Sequence, residues 1–264
     1  MFEFHKDLQT YFNYQYRTSA EYIIPFIESH INLNIQLKVL EIGCAEAGVL
    51  KAFTERNHLC TGIELDENRV KNAILMMAEE YKSNKIKFLS KNIYDIDIEK
   101  DIGHKFDLII LKDVIEHIHD QDRFMSIIGN FLNPGGKIFY SFPPWQMPFG
   151  GHQQICSNKF ASLLPYYHLL PAPLYKLILK AFGERENIIN ALLEIKETGI
   201  SIERFERVTK KQGFNIIKRE LFLFNPIYKY KFNIKVRGQL GLISSIPILR
   251  NFFTTCVYYL IEQK

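Results

Sequence analysis

The chain alternates between short apolar runs and longer stretches in which apolar residues recur at helical spacing. Continuous apolar runs of roughly four to eight residues are typical of buried strands in parallel sheets. Apolar residues at every third or fourth position indicate amphipathic helices. Because the two patterns alternate, the sequence predicts an α/β fold with a mostly parallel sheet.

Seven runs have the character of strands. They lie at residues 39–42, 62–64, 86–89, 106–111, 137–142, 214–217 and 254–262. Helical spacing predicts helices at residues 49–53, 67–81, 117–131, 174–193 and 202–211. Asp66 precedes the second of these helices, where its carboxylate would accept a hydrogen bond from a free backbone N–H.

Two segments fall outside this alternation. Residues 1–35 are rich in Tyr and Phe and predict one or two N-terminal helices, with Pro25 starting or kinking one of them. Residues 145–204 separate the fifth strand from the sixth and predict an inserted lid or substrate pocket, since loops at strand ends commonly carry binding groups. We expect both segments to belong to a single domain that spans residues 1–264.

A turn of small residues follows the first strand. Gly43, Cys44, Ala45, Ala47 and Gly48 connect that strand to the next helix. Small residues let the backbone approach a ligand closely at the start of a helix. Taken alone, this turn is equally typical of a helix that packs closely on a strand.

An acidic residue ends the second strand. Glu64 follows the turn by about 20 residues, the spacing at which a dinucleotide-binding fold places a carboxylate on a ribose hydroxyl pair. The alternative is that Glu64 only faces solvent. The spacing favours the ribose role.

Three further stretches complete a pattern in a fixed order. They are residues 105–110, 113–118 and 132–138. Together with the turn after the first strand, they make residues 36–142 resemble the cofactor-binding half of a class I S-adenosylmethionine-dependent methyltransferase. The resemblance implies a doubly wound, mostly parallel seven-stranded sheet, with an antiparallel last strand beside the fifth. It also implies S-adenosylmethionine as the cofactor.

The resemblance places the cofactor-binding residues after the first four strands. They are Glu41, Gly43, Cys44, Ala45 and Gly48, then Glu64 and Leu65, then Asn92 and Ile93, and finally Lys112, Asp113 and His117. In that family an acid often binds the adenine amino group where this chain has Asn92, whose side-chain oxygen can also accept a hydrogen bond. The family usually has Gly where this chain has Ala45 and Ala47, and a Cβ disfavours positive φ there.

Two histidines are candidate catalytic residues. His152 follows a Gly-Gly pair that we expect to be mobile, and an imidazole of ordinary pKa near 6.5 suits a general base. His117 is the second candidate base. Each histidine could instead have only a structural role, as a loop residue that bonds backbone or as a packing residue near the cofactor.

We expect no metal site. His117 and His119, with Asp113 and Asp120 nearby, lack the spacing of a helical His pair and have no cysteine close by. The four cysteines are far apart, which argues against a zinc site or a disulfide scaffold and favours a reducing cytosol.

Charge and hydropathy limit the partners. The net charge of +4 is too small to indicate nucleic acid binding. The first residues have no signal-peptide pattern, and Pro247 and Arg250 interrupt the apolar C-terminal stretch, so we expect a cytoplasmic protein without a spanning helix. Residues 225–250 contain five basic side chains and no acid. This segment is compatible with a solvated face, an anionic-substrate rim or a peripheral lipid-headgroup surface.

The resemblance implies methyl transfer to an oxygen or nitrogen of a small-molecule, glycan or lipid-linked acceptor. Two alternatives stay open. One is an NAD(P)-dependent oxidoreductase, although a complete G-x-G-x-x-G is missing. The other is a non-catalytic binding or scaffold protein in which Ala45 and Ala47 have closed the site.

Overall fold

The structure is a computed structural model that describes residues 7–264. Its centre is a sheet whose strands are β1 (Lys38–Ile42), β2 (Leu59–Glu64), β3 (Ile86–Ser90), β4 (Phe106–Lys112), β5 (Leu132–Phe142), β6 (Phe214–Phe224), β7 (Arg237–Gly238) and β8 (Cys256–Gln263). The expectation about a signal peptide concerns the first residues, most of which lie outside the described range.

The strand order is β3-β2-β1-β4-β5-β8-β6-β7. β1 to β5 pair in parallel, and β8 runs antiparallel between β5 and β6. The predicted fold class is therefore confirmed, including the antiparallel last strand beside the fifth. Within residues 7–264 the sheet has an eighth strand, because the two-residue β7 pairs with the edge of β6. A two-residue strand carries no apolar run that a sequence pattern could reveal.

Helices cover both faces of the sheet. They are α1 (Leu8–Thr18), α2 (Ile24–Glu28), α3 (Gly48–Thr54), α4 (Glu67–Met76), α5 (Ala78–Lys82), α6 (Gln121–Ile128), α7 (Lys159–Leu163), α8 (Ala172–Ala181), α9 (Glu186–Thr198), α10 (Ile202–Lys211), α11 (Tyr228–Phe232), α12 (Gly241–Ser245) and α13 (Leu249–Phe252). One core cluster contains Phe12, Ile24 and Leu50 from the first three helices. A second core cluster contains Phe124 and Phe205 from α6 and α10.

Three predicted helices differ in their bounds. Residues 67–81 form α4 and α5, because the chain leaves helical geometry at Met77 (φ −112°, ψ 31°). Residues 174–193 are divided between α8 and α9, with Gly183 at φ +76° between them. The prediction that a helix starts at His117 was wrong. His117 ends a short 3-10 turn, and α6 begins only after Asp120, whose carboxylate accepts the Arg123 N–H at 2.9 Å.

The segment 145–204 has its own apolar cluster. Tyr175 and Leu179 of α8 pack there with Ile189 and Leu192 of α9. Trp145 ties the two ends of the segment together, since its N–H donates to the Ile200 carbonyl oxygen at 2.8 Å. A Cβ on Gly199 would lie only 2.5 Å from the Trp145 ring, so close packing on the indole requires glycine there.

Two of the five basic side chains in segment 225–250 form ion pairs. Arg250 is buried and forms ion pairs with Glu203 and Glu206. Lys229 forms an ion pair with Glu21. Lys235 and Arg237 are exposed, so the interpretation as a solvated basic face applies to only part of this segment. None of the helices within residues 7–264 has the length and apolar character that crossing a bilayer requires.

Candidate functional site

The loop after β1 adopts a backbone that normally requires glycine. Gly43, Ala45 and Ala47 have φ of +69°, +50° and +66°. The Gly43 and Cys44 N–H groups both donate to the Ile63 carbonyl oxygen, at 2.8 and 3.1 Å, which anchors the loop on β2. The loop therefore adopts this left-handed conformation despite its two alanines, at a cost of about 1–2 kcal/mol each.

Glu64 stands between the ends of β1 and β2. One carboxylate oxygen accepts the Ala45 N–H at 2.9 Å, and the other accepts the N–H groups of Leu65 and Asp66 at 2.8 and 3.2 Å. A carboxylate has about four acceptor sites, so it can still accept from a ligand. Glu64 lies where a ribose-binding acid was predicted, and it also fixes the loop.

Helix α1 covers the crevice above this loop. A Cβ on Gly48 would lie 2.5 Å from the Phe12 carbonyl oxygen, so glycine lets α1 approach the start of α3. Tyr11 and Gln15 of α1 line the crevice together with Glu41, Cys44 and Lys112. The N-terminal helix thus forms one wall of the candidate ligand site.

Opposite charges are buried at the bottom of the crevice. Glu41 is 2% exposed, and its Oε2 has no hydrogen-bond partner among residues 7–264. Burial raises the pKa of Glu41, and the nearby Lys112 ammonium opposes this rise. Burial opposes the charged form of Lys112, but the adjacent Asp113 carboxylate and Tyr11 together raise the pKa of Lys112 above its ordinary value. Lys112 forms a short ion pair with Asp113.

Asp113 has a strained backbone at the end of β4. Its φ is +57°, and its N–H donates to the Ser141 carbonyl oxygen at 2.8 Å. Strain of this kind is concentrated at functional sites. The hydrogen bond to Ser141 holds Asp113 in this conformation. Asp113 thus lies where the sheet order reverses, between β1 and β4, which is where open α/β sheets bind ligands.

The remaining predicted cofactor residues lie at the ends of β2 and β3. Leu65 is 67% exposed beside Glu64. The Asn92 side-chain oxygen accepts the Tyr94 N–H at 3.1 Å, so this residue caps a short 3-10 turn. Ile93 is only 7% exposed and belongs to the same core cluster as Ile63. Leu65 and Asn92 are therefore both exposed to a ligand, whereas Ile93 is buried.

A second cavity adjoins the first. Tyr11 and Asp113 line both cavities. The walls of the second are mostly apolar, with a few ionisable groups, and its lining includes Glu116, Met147, Phe149, His152, Ile155, Ile227, Tyr228, Lys231 and Phe232. Burial lowers the pKa of Lys231 to about 8.

Of the two candidate catalytic histidines, His152 lines this second cavity and His117 lies beside His152. The rings of His117 and His152 are 5.0 Å apart between centroids. Burial lowers the pKa of His117, and burial together with the His117 ring lowers that of His152 to about 4. Next to them, burial and the Asp113 charge raise the pKa of the Glu116 carboxyl.

The Gly-Gly pair before His152 is packed rather than mobile. A Cβ on Gly150 would lie 2.2 Å from the Trp145 carbonyl oxygen, and one on Gly151 would lie 2.4 Å from the His168 Cβ. His152 itself has φ +55°. Close packing therefore fixes the position of the His152 backbone.

The structure does not gather the four residues first considered as metal ligands. His119 faces Glu194, with its Nε2 3.3 Å from Oε1, and Asp120 caps α6. Sequence reasoning missed Glu116 and Arg69. Arg69 bonds both oxygens of the buried Glu46 at 3.0 Å, at the crevice wall. The only signal for Glu116 was a charged residue within an apolar stretch.

Comparison with known proteins bears on this geometry. A family described as "Methyltransferase domain" matches residues 11–183. The ubiquinone biosynthesis O-methyltransferase of Idiomarina loihiensis is 30% identical over 116 residues, which cover 44% of this chain and 46% of that protein. The enzyme of the same name from Coxiella burnetii is 26% identical over 118 residues, or 45% of this chain and 48% of that protein. The matched region spans about half the length of these curated relatives.

Solved structures share the fold. A S-adenosylmethionine-dependent methyltransferase from Clostridium acetobutylicum has a TM-score of 0.57 and 14% identity, covering 94% of this chain and 92% of that one. The magnesium protoporphyrin IX methyltransferase from Synechocystis PCC 6803, with bound SAH, has a TM-score of 0.54 and 14% identity, covering 95% of this chain and 84% of that one.

Proposed function

Because the chain belongs to the methyltransferase-domain family, we propose that it transfers a methyl group from S-adenosylmethionine to a hydroxyl oxygen of a small-molecule, glycan or lipid-linked acceptor. The observation that carries this proposal is the pair of adjoining cavities that share Tyr11 and Asp113. One cavity is lined by the turn of a nucleotide site, and Glu64 adjoins it through its hydrogen bond with the Ala45 N–H. The other is apolar with a few ionisable groups, as an acceptor site requires.

The residues of the first cavity, together with the adjoining Glu64 and Leu65, fit the cofactor. Glu64 would accept a ribose hydroxyl through its one remaining acceptor site, and the exposed Leu65 would pack on the adenine. Glu41, whose Oε2 has no partner among residues 7–264, lines the crevice with Lys112 and Asp113 and would accept from the amino group of the cofactor's methionine part. When bound, the cofactor supplies a sulfonium-activated methyl group. The protein has to position the acceptor and exclude water, and α1 covers the crevice for that purpose.

The acceptor would bind in the second cavity. Its apolar walls favour an apolar body, and Lys231 would face an anionic group on it. His152 and His117 are our candidates for handling the acceptor proton. The O-methyltransferase names of the relatives favour oxygen over nitrogen as the methyl acceptor. Small-molecule, glycan and lipid-linked acceptors all remain within the proposal, as does peripheral contact with a membrane. We propose a cytoplasmic location and expect no nucleic acid partner.

The comparisons favour neither alternative function. The family and the structural neighbours are methyltransferases rather than nicotinamide oxidoreductases. The scaffold alternative supposed that Ala45 and Ala47 close the site, but both alanines adopt the open left-handed conformation.

Calorimetric titration with S-adenosylmethionine and S-adenosylhomocysteine tests the cofactor assignment. We expect the wild type to bind both, and Glu64→Ala to bind at least about tenfold more weakly, a loss of about 1.4 kcal/mol. Glu67→Ala is the matched control, because Glu67 is exposed only three positions further along. Absence of binding by a folded wild type would refute the proposal. Equal binding by Glu64→Ala would refute the ribose role.

A further inference from the structure

Helix α11 contacts α1 along one face of α1. The side chains involved on α1, and on the helical turn that continues it, recur every three or four residues, which is the spacing of a single helix face. The contacts are Tyr11 with Lys231, Tyr14 and Arg17 with Tyr230, and Glu21 with Lys229. We call this set of contacts the clamp.

The centre of the clamp is the ring of Tyr230. It stacks on the Tyr14 ring, with centroids 6.3 Å apart, and the Arg17 guanidinium carbon lies 4.5 Å from its centroid. At one end of the clamp, the Lys231 ammonium nitrogen lies 4.9 Å from the centroid of the Tyr11 ring. Stacked rings and cations over aromatic faces attract one another at these distances. The clamp therefore ties α11 to α1.

Helix α11 depends on such contacts for its position. It consists of the five residues Tyr228–Phe232, and none of these five is fully buried. A helix this short is not stable in water without tertiary contacts. Three of its side chains line the acceptor cavity, namely Tyr228, Lys231 and Phe232. The wall of the acceptor cavity is thus held partly by the helix that covers the cofactor crevice.

Helix α1 has to move for a cofactor to enter. The crevice under it has a volume of about 110 Å³, whereas sites for small molecules are typically about 300–1,000 Å³. Tyr11 and Gln15 of α1 line the crevice, and the Gln15 Oε1 is buried without a hydrogen-bond partner among residues 7–264. A ligand in the crevice would contact α1 directly, so its binding would favour one position of α1 over the others.

We propose that Tyr230 is a positioning residue that couples the two cavities, because through the clamp it carries the position of α1 to α11. Binding of the methyl donor would then order the wall of the acceptor cavity. This inference rests on the proposed function, in which α1 closes on the donor. Tyr230 lines neither cavity and acts through Tyr14 and Arg17. By linkage, an acceptor that orders α11 would also strengthen binding of the donor.

Hydrogen exchange measured by mass spectrometry tests the coupling, with S-adenosylhomocysteine as the probe. The N–H groups of residues 228–231 donate to carbonyl oxygens of residues 225–227, so their exchange reports opening of α11. In the wild type we expect the ligand to slow exchange in α1 and, by at least about fivefold, in α11. In Tyr230→Leu the protection of α1 should persist, which also shows that the variant is folded, while that of α11 is lost. Tyr230→Phe is the matched control, because it keeps the ring, and should restore the wild-type pattern.

A second measurement needs no ligand. Tyr14 belongs to α1 and lines neither cavity. Tyr14→Leu should speed exchange in α11 of the ligand-free protein, because it removes one face of the stacked pair. Lys235→Gln is the control here, since Lys235 is exposed beyond the end of α11, and it should leave exchange in α11 unchanged.

The proposal is overturned if bound S-adenosylhomocysteine leaves exchange in α11 of the wild type unchanged, or if α11 stays protected in Tyr230→Leu. Unchanged exchange in α11 of ligand-free Tyr14→Leu would also overturn it. A folded wild type that does not bind the ligand would refute the proposed function, and the ligand-free measurement would then decide by itself whether α1 holds α11.

Discussion

The loop after β1 shows how a single residue type can mislead. The alanines at positions 45 and 47 argue against positive φ, yet both residues adopt it. The hydrogen bonds from Gly43 and Cys44 to Ile63, and from Ala45 to Glu64, over-determine the backbone. The alanines therefore carry strain that the surrounding contacts impose.

Replacing Ala45 with glycine should relieve that strain. The left-handed conformation costs alanine about 1–2 kcal/mol, and the greater freedom of glycine in the unfolded chain offsets about 0.4–1 kcal/mol of the gain. We expect Ala45→Gly to raise the free energy of unfolding by about 0.5–1 kcal/mol, as measured by urea denaturation. Ala47→Gly should raise the free energy of unfolding by less, because the Ala47 methyl group is fully buried and its packing is lost. A destabilised Ala45→Gly would show that the Ala45 methyl contributes packing and that its backbone is not strained.

At the residue scale, the site residues that directly follow strands could be predicted from the sequence. Glu64, Asp113 and the turn residues are at strand ends, and parallel strands bring their carboxyl ends to one edge. The sequence pattern could not predict that Glu116 lies near His152, because their proximity depends on how the inserted segment folds back. The close packing of Gly150 and Gly151 could not be predicted for the same reason, because Trp145 and His168 are the residues that pack against them.

At the level of elements, the inserted segment is held by a buried histidine. The His168 Nε2–H donates to the Trp145 carbonyl oxygen at 2.9 Å, while Nδ1 accepts from the Gln153 amide at 3.2 Å. Only the neutral ring can do both, because a protonated Nδ1 would face another donor. Burial accordingly lowers the pKa of His168 to about 4.

This histidine should make stability depend on pH. Its pKa is about 6.5 when unfolded and about 4 when folded, so the unfolded chain binds the proton first as the pH falls. Its contribution is complete above pH 6.5 and is lost progressively down to pH 4. Between pH 7 and pH 5 we expect the free energy of unfolding to fall by about 2 kcal/mol more in the wild type than in His168→Gln. Urea denaturation at both pH values measures this difference. Equal losses would show that His168 does not titrate differently on folding.

The bounds of elements were less predictable than their existence. The apolar runs located seven strands, and α10 has the predicted bounds. The break at Met77 and the late start of α6 depend on backbone geometry and on the Asp120 cap, which periodicity does not report. The edge strand β7 forms only because β6 extends far enough to pair with it.

For the whole molecule, the sheet order places two cavities side by side. β1 and β4 are neighbours, which brings the turn after β1 next to Asp113. The inserted segment and α11 then close the second cavity from the far side. The central claim is that the first cavity holds the methyl donor and that its reacting end points past Tyr11 and Asp113 into the second.

A crystal structure of the complex with S-adenosylhomocysteine tests this claim most directly. The account predicts the ribose at Glu64 and the sulfur atom beside Tyr11 and Asp113, facing the cavity lined by His152 and Lys231. Ligand density outside the crevice, or a sulfur atom directed away from the second cavity, would contradict it.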